Sequence, residues 1–418
     1  MKFNYGKIFL LGFGFFGVSI IWATYNAFVP LFLANKFALN AAVVGFFMTL
    51  DNIAALFIQP TVGAFSDRMR TRIGRRMPFL LIGAPIAAAA FGLIPLAGVL
   101  PLFVACTVTT ILSMALWRTP VVALMPDVTP SRYRSQANGI INFMGGIGSI
   151  IAYLIGSKLY NLDPAYPFWL GSVLVLVAVA LVFIFVKEPK EYEVKAEKQP
   201  SIWESLRSIW SEQDKSPLLI LLAIFSWFVA YNAVEAFFTL YVNRHLGQPE
   251  AEGTRLLGQL SVAFVLFALP SGYIAGRLGR KPVIITGLLI MTACILSMFF
   301  LDSQTLLTPL TKLPVLGVVP VLGLLLIIAG IGWACININS LPMVVDTTTD
   351  DRIGTYTGLY YLFSTLAAIA GPNINGQLIH LMGEDYNMIT MAAPIFFVLA
   401  LVFMLFVRRG EAKTGTAG

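Results

Sequence analysis

The 418-residue chain is 58% hydrophobic and only 12% charged, with a mean hydropathy of +0.81. Water-soluble chains carry roughly 25% charged residues, so this composition excludes a soluble globular protein and assigns a polytopic membrane protein. The formal net charge of +7 is spread over loops, which gives no reason to expect nucleic acid and leaves membrane lipid and a small molecule as partners.

Apolar runs of about 20 residues are the unit of a helical span. They centre near residues 20, 54, 88, 113, 147, 176, 229, 265, 291, 331, 366 and 398, which predicts twelve transmembrane helices. Barrel strands would be shorter and would alternate. The first run begins at Ile8 behind Lys2 and Lys7 and continues past Pro30. It is too long for a signal-peptide core, and no small-residue cleavage site stands out, so it is expected to be a retained span. The second run, "GFFMTLDNIAALFIQPTVGAF", carries Asp51. A carboxylate in hydrocarbon costs about 2.5–3.5 kcal/mol even on the lenient insertion scale, so Asp51 asks for a function.

Cys106, Cys294 and Cys335 lie within apolar spans, at spacings that suit neither a metal site nor a disulfide framework. No cofactor is expected. His245 and His380 sit near the ends of spans seven and eleven and read as solvated surface histidines. Lys and Arg divide 22 to 5 between the two sides, with Arg118 left inside a span, out of 28 in all. The positive-inside rule then predicts a multi-pass protein of the cell (inner) membrane with both termini cytoplasmic.

The longest polar segment, 188–215, separates an N-terminal six-span half (1–187) from a C-terminal one (216–418). Within it "SIWESLRSIW" predicts a helix lying at the inner membrane surface. The halves repeat each other. "WATYNAFVPLFL" in span one matches "WFVAYNAVEAFFTLYV" in span seven, and "GAFSDRMRTRIGRR" after span two matches "GYIAGRLGRK" after span eight. Asp127 precedes Gly139 by twelve residues, as Asp346 precedes Gly358. The predicted fold is therefore all-α, with two pseudo-symmetric six-helix bundles. Parallel repeats of this kind predict a transporter with its site at mid-membrane between the halves.

"GAFSDRMRTRIGRR" resembles the loop signature of the major facilitator superfamily. Its Arg-rich insertion ending in Gly-Arg-Arg-x-Pro, together with "WRTPVVALMPD" and "YNAVEAFFTLY", resembles the glycoside–pentoside–hexuronide:cation symporters, and most of all their sucrose-transporter-like branch. The resemblance extends over essentially all twelve spans and implies secondary active transport of a sugar rather than an enzyme. Sodium-coupled melibiose-type members carry acidic pairs in span two. Here Gln59 precedes Pro60, and Ala55 lies one turn earlier, so those carboxylates are absent and a proton is the coupling ion expected.

On a helix, Asp51, Ala55, Ile58, Gln59 and Val62 share a face. Protonated, Asp51 is tolerable in the membrane; ionised, it is costly unless a base compensates, and that difference makes it a proton carrier. Glu235 is the second mid-span acid, on a stripe with Trp227, Tyr231 and Phe238. Arg118 is the intramembrane base, a partner for either acid or a donor to sugar hydroxyls. A sugar site also needs aromatic platforms and amides. Trp22, Tyr25 and Asn26 supply them in span one, Gln59 in span two, Trp117 beside Arg118, Asn138 and Asn142 in span five, Trp227 and Tyr231 in span seven, Asn337 in span ten and Tyr361 in span eleven. Each of these polar groups can equally bind helix to helix.

Charges at the inner span ends form the predicted gate: Asp67, Arg68, Arg75, Arg76, Asp127, Arg134, Asp346 and Arg352. They are positioned to pair across the cytoplasmic side, while Asp127 and Asp346 could instead cap a following turn. Gly276 stands where the first repeat has Asp67, which predicts a lopsided latch. The reading is a monomeric proton-coupled sugar importer. A sodium-coupled or exchange-type carrier, a proton-driven exporter and, from another class, a channel or receptor are its competitors.

Overall fold

In hydrocarbon a chain must satisfy its backbone internally, so each long apolar run becomes a helix. A computed structural model describes residues 5–129, 134–188, 214–349 and 352–410, without the side chains at 126 and 134–136. The predicted surface helix at 201–210 lies outside them. The first half contains α1 (Tyr5–Leu31), α2 (Ala41–Phe47), α3 (Leu50–Arg68), α4 (Met77–Leu93), α5 (Leu100–Val128), α6 (Arg134–Ile150), α7 (Gly156–Tyr160) and α8 (Tyr166–Phe185). The second contains α9 (Ser216–Leu240), α10 (Glu250–Leu278), α11 (Arg280–Phe300), α12 (Ser303–Leu307), α13 (Val321–Val345), α14 (Ile353–Leu381) and α15 (Met388–Phe406).

Among the described residues, 11 helical stretches are long and apolar enough to cross a membrane. The predicted twelfth is α14. At 29 residues it has the length, but Thr355, Thr357, Ser364, Asn373, Asn375 and Gln377 dilute its hydropathy. Span two also departs from expectation. It is interrupted by a turn at Met48–Thr49 between α2 and α3, and neither residue is a helix breaker.

The chain forms two compact units. Unit 1 comprises Met1–Asn40, Phe47–Val194 and Gly247–Gly258; unit 2 comprises Ala41–Phe46, Lys195–Leu246 and Gln259–Gly418. Each is built the same way inside. In unit 1, α1 packs on α6 and α8, and α4 packs on α5 and α8. In unit 2, α9 packs on α14 and α15, and α11 packs on α13 and α15. Both α1 and α9 end in a π-helical turn, Phe32–Lys36 and Tyr241–His245. The sequence repeat is thus a packing repeat. Small residues set the close helix approaches: a Cβ on Gly148 of α6 would lie 2.6 Å from the Phe16 carbonyl oxygen of α1.

A two-stranded hairpin, β1 (Pro309–Leu313) paired antiparallel with β2 (Gly317–Pro320), fills the connection after α12. Gln259 of α10 holds it by donating its amide to the Leu316 and Val318 carbonyls at 3.1 and 2.9 Å. The three cysteines are free and buried. Neither histidine stands alone. His245 Nδ1 lies 3.7 Å from Asp385, and His380 Nδ1 lies 2.7 Å from Glu384.

Candidate functional site

The break in span two changes the setting of Asp51. It stands in the first turn of α3, where helix N–H groups lack intrahelical partners and the macrodipole is positive. Asn52 donates its side-chain amide to Asp51 Oδ1 at 2.9 Å. Helix α5 packs on α3 and brings Arg118 close enough for its charge to act on Asp51. Tyr25 of α1 lies within the field of the same carboxyl. The Tyr25 ring meets Trp22 edge-on, 5.6 Å between centroids. Both the Tyr25 hydroxyl and the Trp22 indole N–H are buried with no protein partner among the described residues. A buried unpartnered donor costs about 1–3 kcal/mol, so two side by side next to a carboxyl describe a site that accepts a polar guest.

Unit 1 therefore brings Trp22, Tyr25, Asp51 and Arg118 together. Asn26 and Gln59 are half-buried nearby in sequence on α1 and α3. Asn138 and Asn142 are exposed on α6, and Asn142 donates its amide to the Asn138 carbonyl at 2.8 Å. Trp117 does not join them. It is fully buried in the helix packing, its ring against Gly17 of α1 and its Cβ against Gly83 of α4, and its indole N–H goes to Met114 Sδ at 3.1 Å. Adjacency to Arg118 in sequence pointed the other way because neighbours on a helix face about 100° apart.

In unit 2 the predicted α9 stripe splits by burial. Trp227 and Phe238 are 0% exposed and belong to the core, while Tyr231 and Glu235 are half-buried. Tyr231 stacks on Trp333 of α13 with centroids 3.8 Å apart and planes 5° apart. Phe228 meets Trp333 edge-on, and Tyr360 exchanges a hydrogen bond with Ser340 at 3.0 Å. Trp333 was missed in the sequence, although it lies one turn before Asn337 in "GIGWACININS". Asn337 is half-buried, and Tyr361 is 57% exposed. Asn339 acts as interhelical adhesive, donating to Ser271 Oγ at 3.0 Å and to the Cys335 carbonyl at 2.9 Å.

The predicted gate charges are engaged inside their own units. Asp127 takes Arg75 Nη2 at 2.6 Å and Arg76 Nε at 3.1 Å, and Arg76 also bonds Asp67 and Ser66. In unit 2 Asp346 pairs with Arg280, the residue equivalent to the Arg75–Arg76 pair. Both aspartate side chains face arginines, and the turns that they could cap run into 130–133 and 350–351, outside the described residues. Arg352 lies over the Tyr356 ring at 5.3 Å. Arg68 is exposed, and the Arg134 side chain lies outside the described ones. The sequence also missed Glu188. Its carboxylate accepts the backbone N–H groups of Arg75, Arg76 and Met77, each at 2.9 Å, at the start of α4. Among the described residues, unit 1 engages Asp67, Asp127 and Glu188 here, and unit 2 engages Asp346. No three His, Cys, Asp or Glu side chains among the described residues converge to hold a metal.

A family model described as the Major Facilitator Superfamily matches residues 11–372 and 256–418. A multidrug resistance protein MdtH from Photorhabdus laumondii is 24% identical over 298 residues, 70% of each chain. The melibiose permease of Enterobacter cloacae is 23% identical over 317 residues, 70% of this chain and 71% of that one. The putative nucleoside transporter YegT of Escherichia coli is 27% identical over 297 residues, 70% and 67%. Among solved structures, a bacterial homologue of the human lysosomal transporter Spinster superposes with a TM-score of 0.75 at 13% identity, covering 99% of this chain and all of that one. The nucleoside transporter NupG superposes at 0.68 and 16% identity, covering 97% and 100%. At these identities the superpositions speak to fold alone.

Proposed function

The chain belongs to the Major Facilitator Superfamily, a transporter family, and from that premise we propose that it is a proton-coupled sugar or glycoside carrier. We place it with the glycoside–pentoside–hexuronide:cation symporters, in their sucrose-transporter-like branch. The observation that carries this reading is the group at the head of α3. Asp51 sits in a first helical turn, in the field of Arg118, beside the unpartnered donors of Tyr25 and Trp22. A hydroxyl-rich guest offers acceptors to those two donors. Protonation of Asp51 changes its need for Arg118, which frees the guanidinium to bind sugar oxygens. Proton and sugar are then linked through one shared base, which is coupling in the thermodynamic sense.

In unit 2 the stacked Tyr231–Trp333 pair offers an aromatic platform, and Glu235 is a second candidate proton carrier. Asn26, Gln59, Asn138, Asn142, Asn337 and Tyr361 are candidate sugar partners. The charge clusters around Asp127 and Asp346 fix the inner ends of the helices that must move. The protein works as a monomer in the inner membrane, with both termini in the cytoplasm. Relatives named melibiose permease and, in Schizosaccharomyces pombe, general alpha-glucoside permease, 25% identical over 253 residues, agree with a glycoside.

Counterflow in proteoliposomes tests the substrate. A panel of labelled mono- and disaccharides should show saturable exchange for at least one glycoside, weakened by Tyr25→Phe. Nucleosides belong in the same panel because of the resemblance to YegT. Exchange of a nucleoside and of no sugar would replace the sugar reading.

A further inference from the structure

From Ser303 to Val345 the chain carries one charged residue, Lys312, and from Leu313 onward it carries none. Helix α13 begins only at Val321, and its 25 residues already exceed the roughly 20 that cross hydrocarbon. The uncharged run therefore starts too early for the span and takes in the hairpin turn and all of β2. The hairpin does not bury what this composition supplies. Leu310, Leu313, Val315 and Val318 are 52%, 40%, 67% and 41% exposed, whereas Val319 is 2% exposed. Exposed apolar side chains gathered on one small element mark a surface with a partner.

Gln259 fixes the depth of that surface. It lies nine residues into α10 from Glu250, about 13 Å along the helix axis. Arg255 is the last charge before it and none follows until Arg277, so Gln259 stands one turn inside the apolar part of its span. Its amide reaches Leu316 in the hairpin turn and Val318 in β2. A Cβ on Gly323, in the first turn of α13, would collide with its Oε1. The Val321 N–H closes the base of the hairpin by donating to the Thr308 carbonyl at 3.0 Å. One side chain thus touches both the hairpin turn and the start of span ten. The hairpin lies folded back beside the helices, at the level where they enter the membrane.

Three features choose the partner. Pro309, Pro314 and Pro320 have no N–H to offer a further strand, and Lys312 interrupts the apolar edge, which disfavours pairing with a second copy. The outer edges of a two-stranded hairpin need water, which excludes the hydrocarbon centre. The chain on either side faces lipid: Phe300 at the end of α11 and Leu324 and Ile328 in α13 are 74%, 42% and 37% exposed. We propose that the β1–β2 hairpin is a membrane anchor, its leucines and valines lying in the interfacial layer of the bilayer and Lys312 reaching the lipid phosphates. Nine spans precede it, so the leaflet is the one opposite the N-terminus. Through Gln259 the anchor ties spans eight and ten to that leaflet, whatever the protein carries.

The test uses the full chain with a reporter cysteine in the hairpin, Leu313→Cys or Val315→Cys, and Gln304→Cys on α12 as the exposed polar reference. Each is labelled with an environment-sensitive maleimide, for which the buried native cysteines do not compete. The protein is then placed in nanodiscs of phosphatidylcholine, part of which carries a nitroxide high on its acyl chain. Labels at 313 and 315 should lose most of their fluorescence to the nitroxide lipid and resist aqueous iodide, and the label at 304 should do the reverse. Iodide quenching at 313 and 315 equal to that at 304 overturns the anchor. So does protection from both quenchers, the outcome if a second copy covers the hairpin. Two reporter positions keep the test decisive if one variant fails to fold.

Discussion

Removing the Glu188 side chain should destabilise the protein through a contact that spans 111 residues of sequence. Glu188→Ala strips the acceptor from three N–H groups at the start of α4. Loss of an N-terminal cap costs about 1–2 kcal/mol, and loss of an anion at the positive end of a helix about 0.3–1 kcal/mol. Glu188 is half-buried, which keeps the expected total near 2 kcal/mol. Gly74→Ala attacks the same contact from the other side. Gly74 has φ +115°, and a Cβ there would sit 2.6 Å from the Glu188 carboxyl carbon. Backbone strain alone costs about 1–3 kcal/mol, and the clash would also push the carboxylate off its donors. The two changes share one contact, so the double variant should lose less than the sum of the singles. Thermal unfolding of the detergent-solubilised protein measures all three. A Glu188→Ala protein melting at the wild-type temperature, or strictly additive losses, would refute the capping argument.

Helix approach gives a second stability test. Gly148→Ala forces a Cβ to within 2.6 Å of backbone on α1, whereas Gly139→Ala on the same helix meets nothing within 4 Å. The first should lower the melting temperature, and the second should leave it unchanged or raise it, since alanine favours helix by up to about 1 kcal/mol. A third prediction concerns pH. Ser216, through its N–H and hydroxyl, and then Arg409 and Arg408 hold the Asp214 carboxyl below the usual carboxylate range. A lowered folded-state value means its contribution is present above the unfolded pKa of about 3.9 and lost as pH falls through the folded one. The backbone at 407–410, tied down by the Arg408 N–H to Ser216 Oγ at 2.9 Å and Arg409 to Asp214 at 2.6 Å, should exchange hydrogen faster in that acid range. Asp214→Asn should show the faster exchange already at neutral pH.

Hydropathy made the spans legible because burial in lipid demands long apolar runs, and the Tyr25 and Tyr231 motifs marked a repeat that the packing inside each unit reproduces. The same rule understated α14, whose hydroxyls and amides lower its hydropathy without shortening it. The interruption at Met48–Thr49 left no trace, since no Gly or Pro marks it; the residue whose close packing accompanies it, Gly45, meets Pro372 from far along the chain. Asp51 was legible as a charge out of place, and Arg118 as its possible partner, because charges in apolar runs are rare. Glu188 and Arg280 were not, since each lies in a polar stretch where charge is ordinary and only the fold names its partner. Trp333 hid because an aromatic in an apolar helix reads as core until its stacking partner is known.

The central claim is that Asp51 couples proton movement to sugar movement, and accumulation against a gradient tests it most directly. Proteoliposomes carrying the wild type should accumulate a labelled glycoside when an inward proton gradient is imposed and should fail to do so under a sodium gradient. Asp51→Asn holds the neutral state permanently. It should abolish proton-driven accumulation while retaining exchange of the sugar down its own gradient. Full accumulation by Asp51→Asn under the same proton gradient would contradict the account and move the proton site elsewhere, with Glu235 the next residue to replace.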